Sequence, residues 1–257
     1  MSIYDMSQWM LLFFLYSFAG WIWECLYGSV VQRKWVTRGF LNGPALPIYG
    51  FGAVIILGIT LPFRDNLILV FFAGMAGATA LEFVTGFLME KIFGMRYWDY
   101  TGDFGNVKGY ICVKASLCWG VFSILLVKVI HRPLDSLLLR LPEWLVHTIV
   151  GLCLLAFVYD VVISVRQAID LKQFLEAQLA HNEKLMQLQE KLHELKKMEL
   201  DDVIEDAKEE IARAKEAFEE KWEVRKGRAL HILKRNPSAG SKRLHIHVEE
   251  LRRFLER

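Results

Sequence analysis

Glu24, Glu82 and Lys114 are among the charged side chains that lie within long apolar stretches of the sequence. A charge in hydrocarbon costs about 3 kcal/mol or more, so each one needs a partner or water. Counted along a helix, Glu82 lies roughly 15 Å, Glu24 roughly 10 Å and Lys114 roughly 6 Å from one side of the membrane region. The pattern predicts either a polar cavity lined by these side chains or structural ion pairs. Pairing of Lys114 with one carboxylate would satisfy both interpretations.

Further polar residues of the same region complete a candidate set for binding a solute or an ion. Glu82, Gly86 and Glu90 are spaced i, i+4, i+8, which places them on one helix face. The predicted binding residues are Glu24, Glu82, Lys114, Tyr49, Asn106 and Ser116.

The sequence offers little for covalent or metal chemistry. No Ser/His/Asp or Cys/His constellation is visible, no H-x3-H pair lies in the apolar segments, and the four cysteines have no C-x-x-C spacing. We therefore predict no enzyme, no bound metal and no cofactor. A membrane enzyme using the acids Glu24, Glu82 and Asp99 is the least favoured alternative. No G-x4-G-K-[ST] motif occurs, so the chain is not its own ATPase.

Charged residues are segregated along the chain. Residues 1–163 hold 11 Lys+Arg and 10 Asp+Glu, and the remaining 94 residues hold 20 and 19. This distribution excludes a single soluble domain, a disordered chain and a small disulfide scaffold. The net charge of +2 gives no reason to expect nucleic-acid binding.

Five apolar segments have about the length needed to cross a bilayer as a helix, about 20 residues. The sequence thus predicts an all-α polytopic membrane helix bundle. The second segment is short and rich in Gly and Pro. The segments are 9–31, 44–61, 67–93, 110–130 and 144–165.

Basic residues in the short loops predict the orientation. The side shared by the N-terminus and loops two and four carries three: Arg64, Arg132 and Arg140. The side of loops one and three carries six, which makes it cytoplasmic. We expect the N-terminus outside and the C-terminal tail in the cytoplasm. The six are Arg33, Lys34, Arg38, Lys91, Arg96 and Lys108.

The tail reads as a long helix that continues from the fifth span. Apolar residues recur in heptads from Leu171 to Leu195, and the pattern resumes, after a slip, at Ile204. A coiled coil or a helix folded back as a hairpin would explain this. Asn236 opens a helix-breaking cluster that ends at Gly240. The predicted domains are a transmembrane domain (1–165), a cytoplasmic long helix or coiled coil (166–235), and the breaker with a short amphipathic helix (236–257).

Loops one and three resemble each other and follow similar helix ends. Glu24-x3-Gly28 matches Glu82-x3-Gly86, and Trp35-x3-Gly39 matches Trp98-x3-Gly102. A parallel internal repeat or chance could supply this pattern. The composition, rich in Gly, Asn, Trp and Tyr, predicts ordered re-entrant or capping loops. Their candidate residues for docking a partner are Arg38, Asn42, Arg96, Trp98 and Asp99.

Four segments together resemble a known family of bacterial membrane proteins: Gly20-Trp-Ile-Trp-Glu24, the run 39–50, Leu81-Glu-Phe-Val-Thr-Gly86 and Arg96-Tyr-Trp-Asp-Tyr100. The family is labelled putative ABC-transporter type IV, or putative ABC transporter permease. The resemblance covers about residues 8–165. It implies a permease component in the bacterial plasma membrane, with a separate subunit supplying any ATPase activity.

Two functions follow as hypotheses. The first is a permease-like transport component with a cavity open to the cytoplasm, in a homo-oligomer because five spans are few for a translocation path. The alternative is a membrane-anchored scaffold or sensor that recruits partners through its coiled coil.

Overall fold

The computed structural model describes residues 4–197, 201–236 and 239–240. Its described residues form helices and no β-strand, and Val107 and Ile111 form an isolated bridge. The all-helical prediction is confirmed. The helices are α1 (Met6–Gln32), α2 (Pro47–Thr60), α3 (Leu67–Phe93), α4 (Val113–Leu125), α5 (His131–Leu138), α6 (Glu143–Lys197) and α7 (Asp201–Arg235).

Within the described ranges, four helical segments are long and apolar enough to cross a membrane: Met6–Gln32, Leu67–Phe93, Val113–Leu138 and Glu143–His193. The third combines α4, a five-residue π-helical turn (Leu126–Ile130) and α5. The predicted second span differs, because α2 has 14 residues and a 3₁₀ turn adds only three. Its Pro and Gly content limits it to a shorter apolar helix.

Polar side chains set the starts of the two longest early helices. The Asp5 carboxylate accepts the backbone N–H of Gln8 at 2.8 Å, and the Gln8 side chain accepts the N–H of Asp5. This capping box begins α1. The Asn66 side chain accepts the N–H groups of Ile68 and Leu69 at the start of α3.

Small residues allow successive helices to approach closely. The buried residues of α3 recur every four positions through Gly74, Ala78, Glu82 and Gly86. A Cβ on Gly74 would collide with Ser123 of α4. Gly74, Ala78 and Glu82 therefore share an inward face, packed against the neighbouring helices.

The loop between α1 and α2 is fixed to α6 by a carboxylate. Asp160 accepts the backbone N–H of Asn42 at 2.9 Å and that of Gly43 at 2.7 Å. The Asn42 side chain donates to Ser164 at 2.9 Å. Two charge-assisted hydrogen bonds thus satisfy an acid within a helix that is a candidate membrane span.

The chain divides into two compact units, Met1–Val165 and Arg166–Arg257. Helix α6 is continuous from Glu143 to Lys197, so the fifth apolar segment and the first part of the tail share one helix, as predicted.

In the second unit, the predicted core positions Leu171, Phe174 and Gln178 are buried. Leu192 of α6 packs against Ala207 of α7. A single helix would separate these two residues by roughly 22 Å, so this contact favours the folded-back hairpin. Helix α7 ends at Arg235, at the predicted breaker. The predicted last helix, 241–257, lies outside the described residues.

Candidate functional site

A cavity of about 760 Å³ lies inside the first unit, between α1 and α4. Residues of α2 and α3 and of the loop between α3 and α4 complete its lining. Four predicted binding residues are among the residues that line it: Glu24, Tyr49, Glu82 and Lys114.

Glu82 is the most deeply placed acid of the cavity, with 5% of its surface exposed. Its carboxylate accepts a hydrogen bond of 3.0 Å from the Tyr100 hydroxyl and one of 3.1 Å from the indole N–H of Trp119. Both donors are neutral. No ion pair of Glu82 occurs among the described residues. Its neighbours orient the carboxyl group without supplying a positive charge.

Glu24 has a different environment at the same cavity. Its carboxylate lies 3.1 Å from the Arg38 guanidinium and accepts a 2.7 Å hydrogen bond from the Tyr49 hydroxyl. Lys114 is exposed and forms no ion pair with Glu24 or Glu82 in the described part of the chain. A pairing with Lys114, one of the possibilities that the sequence left open, is therefore not formed. Arg38 takes its place, because loop one folds back over the end of α1.

The loop between α3 and α4 is an ordered cap, built around Arg96. The guanidinium donates to Glu90 at 2.7 Å and to Asp99 at 3.3 Å, and it lies 4.9 Å from the centre of the Tyr110 ring. Burial acts to lower the pKa of Arg96, but the hydrogen bond and charge of Glu90 outweigh it and raise the pKa. The cap thus keeps its cation.

This cap delivers Tyr100 to the cavity. The backbone N–H of Tyr100 donates to the Gly109 carbonyl at 2.9 Å, and Gly109 has a φ of 78°, which favours glycine. Burial, with the charge and hydrogen bond of Glu82, raises the pKa of Tyr100. The hydroxyl therefore stays protonated and acts as a donor.

The predicted docking residues make contacts within the chain. Arg38, Asn42, Arg96 and Asp99 make the contacts given above, and the Trp98 indole donates to the Tyr110 carbonyl at 2.9 Å. Each of these side chains organises one of the two loops.

Two predicted binding residues lie away from the cavity. The Asn106 amide donates to the carbonyls of Thr101 and Asp103 and thereby shapes the cap. Ser116 lines a separate pocket with Thr79 and Phe83. Helical spacing alone could not place either one.

Sequence reasoning missed the donors Tyr100 and Trp119 and assigned Arg38 only to docking. These three residues share one feature that the sequence does show: each is a large side chain with a polar atom, and each lies within or beside an apolar segment. Among the described residues, no group of three or more His, Cys, Asp or Glu side chains is arranged to hold a metal ion.

Residues 11–165 match the sequence profile of the family described as "Putative ABC-transporter type IV". The match covers more than half of the chain, and the chain belongs to this family. No curated protein and no solved structure matches the chain. The resemblance predicted from the four sequence segments is confirmed.

Proposed function

We propose that this member of the type IV family is a permease-like transport component that binds a small cation, or a solute with a cationic group, in the cavity between α1 and α4. The observation that carries the proposal is the setting of Glu82, a buried carboxylate held by two neutral donors. A cation that enters the cavity would supply the missing opposite charge in a low-dielectric site, where the attraction is strong.

Glu24 supports the same cavity in another role. Arg38 already balances its charge, so Glu24 and Arg38 together fix the cavity wall and loop one. The exposed Lys114 lines the cavity. The positive charge of Lys114 would repel, and so disfavour, solutes that carry more than one positive charge.

The membrane arrangement belongs to the proposal. The chain crosses the bacterial plasma membrane five times, with α2 as a short crossing, the N-terminus outside and the tail in the cytoplasm. A homo-oligomer completes the path, and a separate ATPase binds on the cytoplasmic side. Family membership and the absence of a phosphate-binding loop from the sequence support this division of labour.

A thermal-shift experiment on the purified full chain tests the cavity. The probes are alkali ions, alkylammonium ions and guanidinium, each compared with a neutral analogue of similar size. A probe at about 100 times its Kd should stabilise the protein by about 2.7 kcal/mol. Glu82→Gln should remove the shift and leave the fold intact. Glu143→Gln, the same change at an exposed position, should keep it.

Two results would contradict cation binding at Glu82. One is that no cationic probe raises Tm more than its neutral analogue. The other is an equal rise in the Glu82→Gln variant. Purification with an affinity tag from a bacterial membrane tests the second part of the proposal, and reproducible recovery without an ATPase subunit would argue against an ABC-type assembly.

A scaffold or sensor is the second candidate function. The observation that favours it is the second unit, which is compact in its own right and brings Leu192 of α6 against Ala207 of α7. Truncation after residue 169 separates the two functions. Cation binding in the cavity should survive the truncation, and recruitment of partners by the tail should not.

A further inference from the structure

A buried histidine, which neither proposed function uses, is held between two tyrosines. His131 has 2% of its surface exposed. Its Nδ1 lies 2.9 Å from the Tyr16 hydroxyl, and its Nε2 lies 2.9 Å from the Tyr4 hydroxyl. Tyr4 also donates to the carboxylate of Asp135. Four side chains from the N-terminal segment, α1 and α5 thus form one continuous chain of hydrogen bonds.

The donors and acceptors of this chain have one consistent order. A tyrosine hydroxyl has a single hydrogen, and Tyr4 gives its hydrogen to Asp135. Nε2 of His131 must therefore donate to the Tyr4 oxygen. In a neutral imidazole Nδ1 is then an acceptor, and it receives the hydrogen of Tyr16. Every hydrogen bond points from Tyr16 toward Asp135.

The two ends of the hydrogen-bonded chain line different pockets. Tyr16 lines the cavity that also contains Glu24 and Glu82. Tyr16 and Glu24 lie two turns apart on α1, roughly 12 Å along its axis. Asp135, together with His131, lines a second pocket of about 290 Å³ at the end of the unit where α1 begins. The hydrogen-bonded chain is therefore a bridge between the cavity and the opposite end of the helix bundle.

The backbone at His131 is specialised as well. The π-helical turn Leu126–Ile130 directly precedes it. Such turns rotate the following residues away from the positions that a continuous α-helix would give them, and they are frequent at functional sites. Burial and the hydrogen bond to Asp135 raise the pKa of Tyr4, so Tyr4 keeps its proton and remains a donor.

We propose that Tyr16, His131, Tyr4 and Asp135 form a proton relay between the central cavity and the pocket at the α1 end. Histidine suits this task because its two ring nitrogens can accept and release protons at near-neutral pH. The relay is a property beyond solute binding and does not depend on which solute the cavity takes.

One transfer balances as follows. A hydronium ion in the cavity gives a proton to the Tyr16 oxygen and becomes water, while Tyr16 passes its own hydrogen to Nδ1 of His131. His131 releases the hydrogen on Nε2 to Tyr4, and Tyr4 releases its hydrogen to Asp135. Asp135, now a neutral acid, gives the proton to water in the end pocket. The imidazole is left in its other tautomer. Because His131 also lines the end pocket, exchange of its ring protons with water there returns the hydrogen from Nδ1 to Nε2.

The end pocket, into which the relay would release its proton, is lined by both acidic and basic side chains. The polar lining of the end pocket comes from the turn before α3, from the π-helical turn and from α5. Lys128 lies 3.2 Å from Asp65, which is 90% exposed, so this ion pair meets solvent at the rim. Solvent at the rim can take up the proton that Asp135 releases. The charged residues of the pocket are Arg64, Asp65, Lys128, Arg132 and Asp135.

Proton flux into liposomes tests the relay. The purified full chain is reconstituted in phosphatidylcholine and phosphatidylglycerol vesicles that contain a pH-sensitive dye. A potassium gradient with valinomycin sets an inside-negative potential, and internal acidification is followed. The wild-type chain should acidify the vesicles faster than protein-free vesicles do. Tyr16→Phe should slow this by at least about ten-fold, since the hydrogen-bonded chain is then broken at the cavity.

Two further variants separate relay from packing. His131→Gln can still form hydrogen bonds but cannot exchange protons between two ring nitrogens, and it should lose the flux. Tyr159→Phe removes the hydroxyl of an exposed tyrosine on α6 and should leave the flux unchanged. Rates are compared for variants that elute from gel filtration like the wild type.

The relay is overturned if wild-type vesicles acidify no faster than protein-free ones. It is also overturned if both Tyr16→Phe and His131→Gln keep the wild-type rate. The assay contains neither solute nor ATPase. Failure of the thermal-shift test therefore leaves this result unaffected, and failure of the relay leaves cation binding at Glu82 unaffected.

Discussion

The guanidinium of Arg38 lies 3.1 Å from the carboxylate of Glu24, across the turn between α1 and loop one. About a quarter of each side chain is exposed. A cation from outside the apolar segment thus neutralises an acid within it. Gly28, one turn after Glu24, makes room for this contact, because a Cβ there would meet the Arg38 side chain at 3.0 Å.

Replacement of Arg38 should destabilise the protein, because Glu24 then has no cation to pair with. Arg38→Met should lower the free energy of unfolding by about 1 kcal/mol, or about 2–4 °C in Tm, because the pair is partly exposed. Glu24→Gln in the same chain should recover most of the loss, since no charge then remains to be balanced. Thermal denaturation of the three variants in detergent measures this. An additive loss in the double variant would show that the pair does not stabilise the protein.

Gly109 should be essential to the cap that carries Tyr100. Its φ is 78°, and a Cβ would lie 2.6 Å from the Thr101 hydroxyl and 2.7 Å from the Arg96 guanidinium. Gly109→Ala should cost about 1–3 kcal/mol and make the loop sensitive to trypsin after Lys108. Gly102→Ala is the matched control, because a Cβ there has no neighbour within 4 Å. Equal proteolysis of both variants would contradict the role of Gly109.

Close packing of α3 on α4 depends on Gly74. A Cβ at this position would overlap the Ser123 side chain. Gly74→Ala should lower stability by about 1–3 kcal/mol, the usual cost of overpacking. Gly151→Ala on α6 meets no atom within 4 Å and should be neutral or slightly stabilising, because alanine favours a helix. A Tm for Gly74→Ala at or above that of Gly151→Ala would refute the packing argument.

Local periodicity allowed part of this arrangement to be predicted. Spacing by four put Glu82 and Gly86 on one face, and that face, which also holds Gly74 and Ala78, is buried. The cost of a charge in lipid pointed to Glu24 and Glu82 as partners of polar groups, and both have them. Signals of this kind depend on residues within two or three turns of each other.

Contacts that depend on how loops fold back could not be predicted from the sequence. Arg38 reaches Glu24, and Trp119 reaches Glu82 from another helix, through tertiary geometry that no spacing encodes. His131 escaped notice for a related reason. The fourth span was expected to end at Ile130, so His131 was placed outside it. The helix in fact continues through a π-helical turn, which interrupts the regular spacing of apolar residues that sequence analysis relies on.

The proposed orientation can be tested with single cysteines in a chain whose four native cysteines are replaced by alanine or serine. Ser136→Cys, exposed on α5, should react with a membrane-impermeant maleimide applied to intact cells. Arg213→Cys, exposed on α7, should react only after the cells are opened. The reverse pattern would place the tail outside and overturn the orientation.

The contact between Leu192 and Ala207 distinguishes a hairpin within one chain from a coiled coil between two chains. Leu192→Cys with Ala207→Cys, in the same cysteine-free background, should oxidise to a cross-link within one chain. The product should migrate as a monomer on non-reducing gels, with altered mobility that reduction reverses. Leu192→Cys alone is the control and should yield little cross-linked dimer, because in a hairpin its neighbour is Ala207 of the same chain. A dominant dimer from the single variant would instead show that two tails pair through the heptad positions.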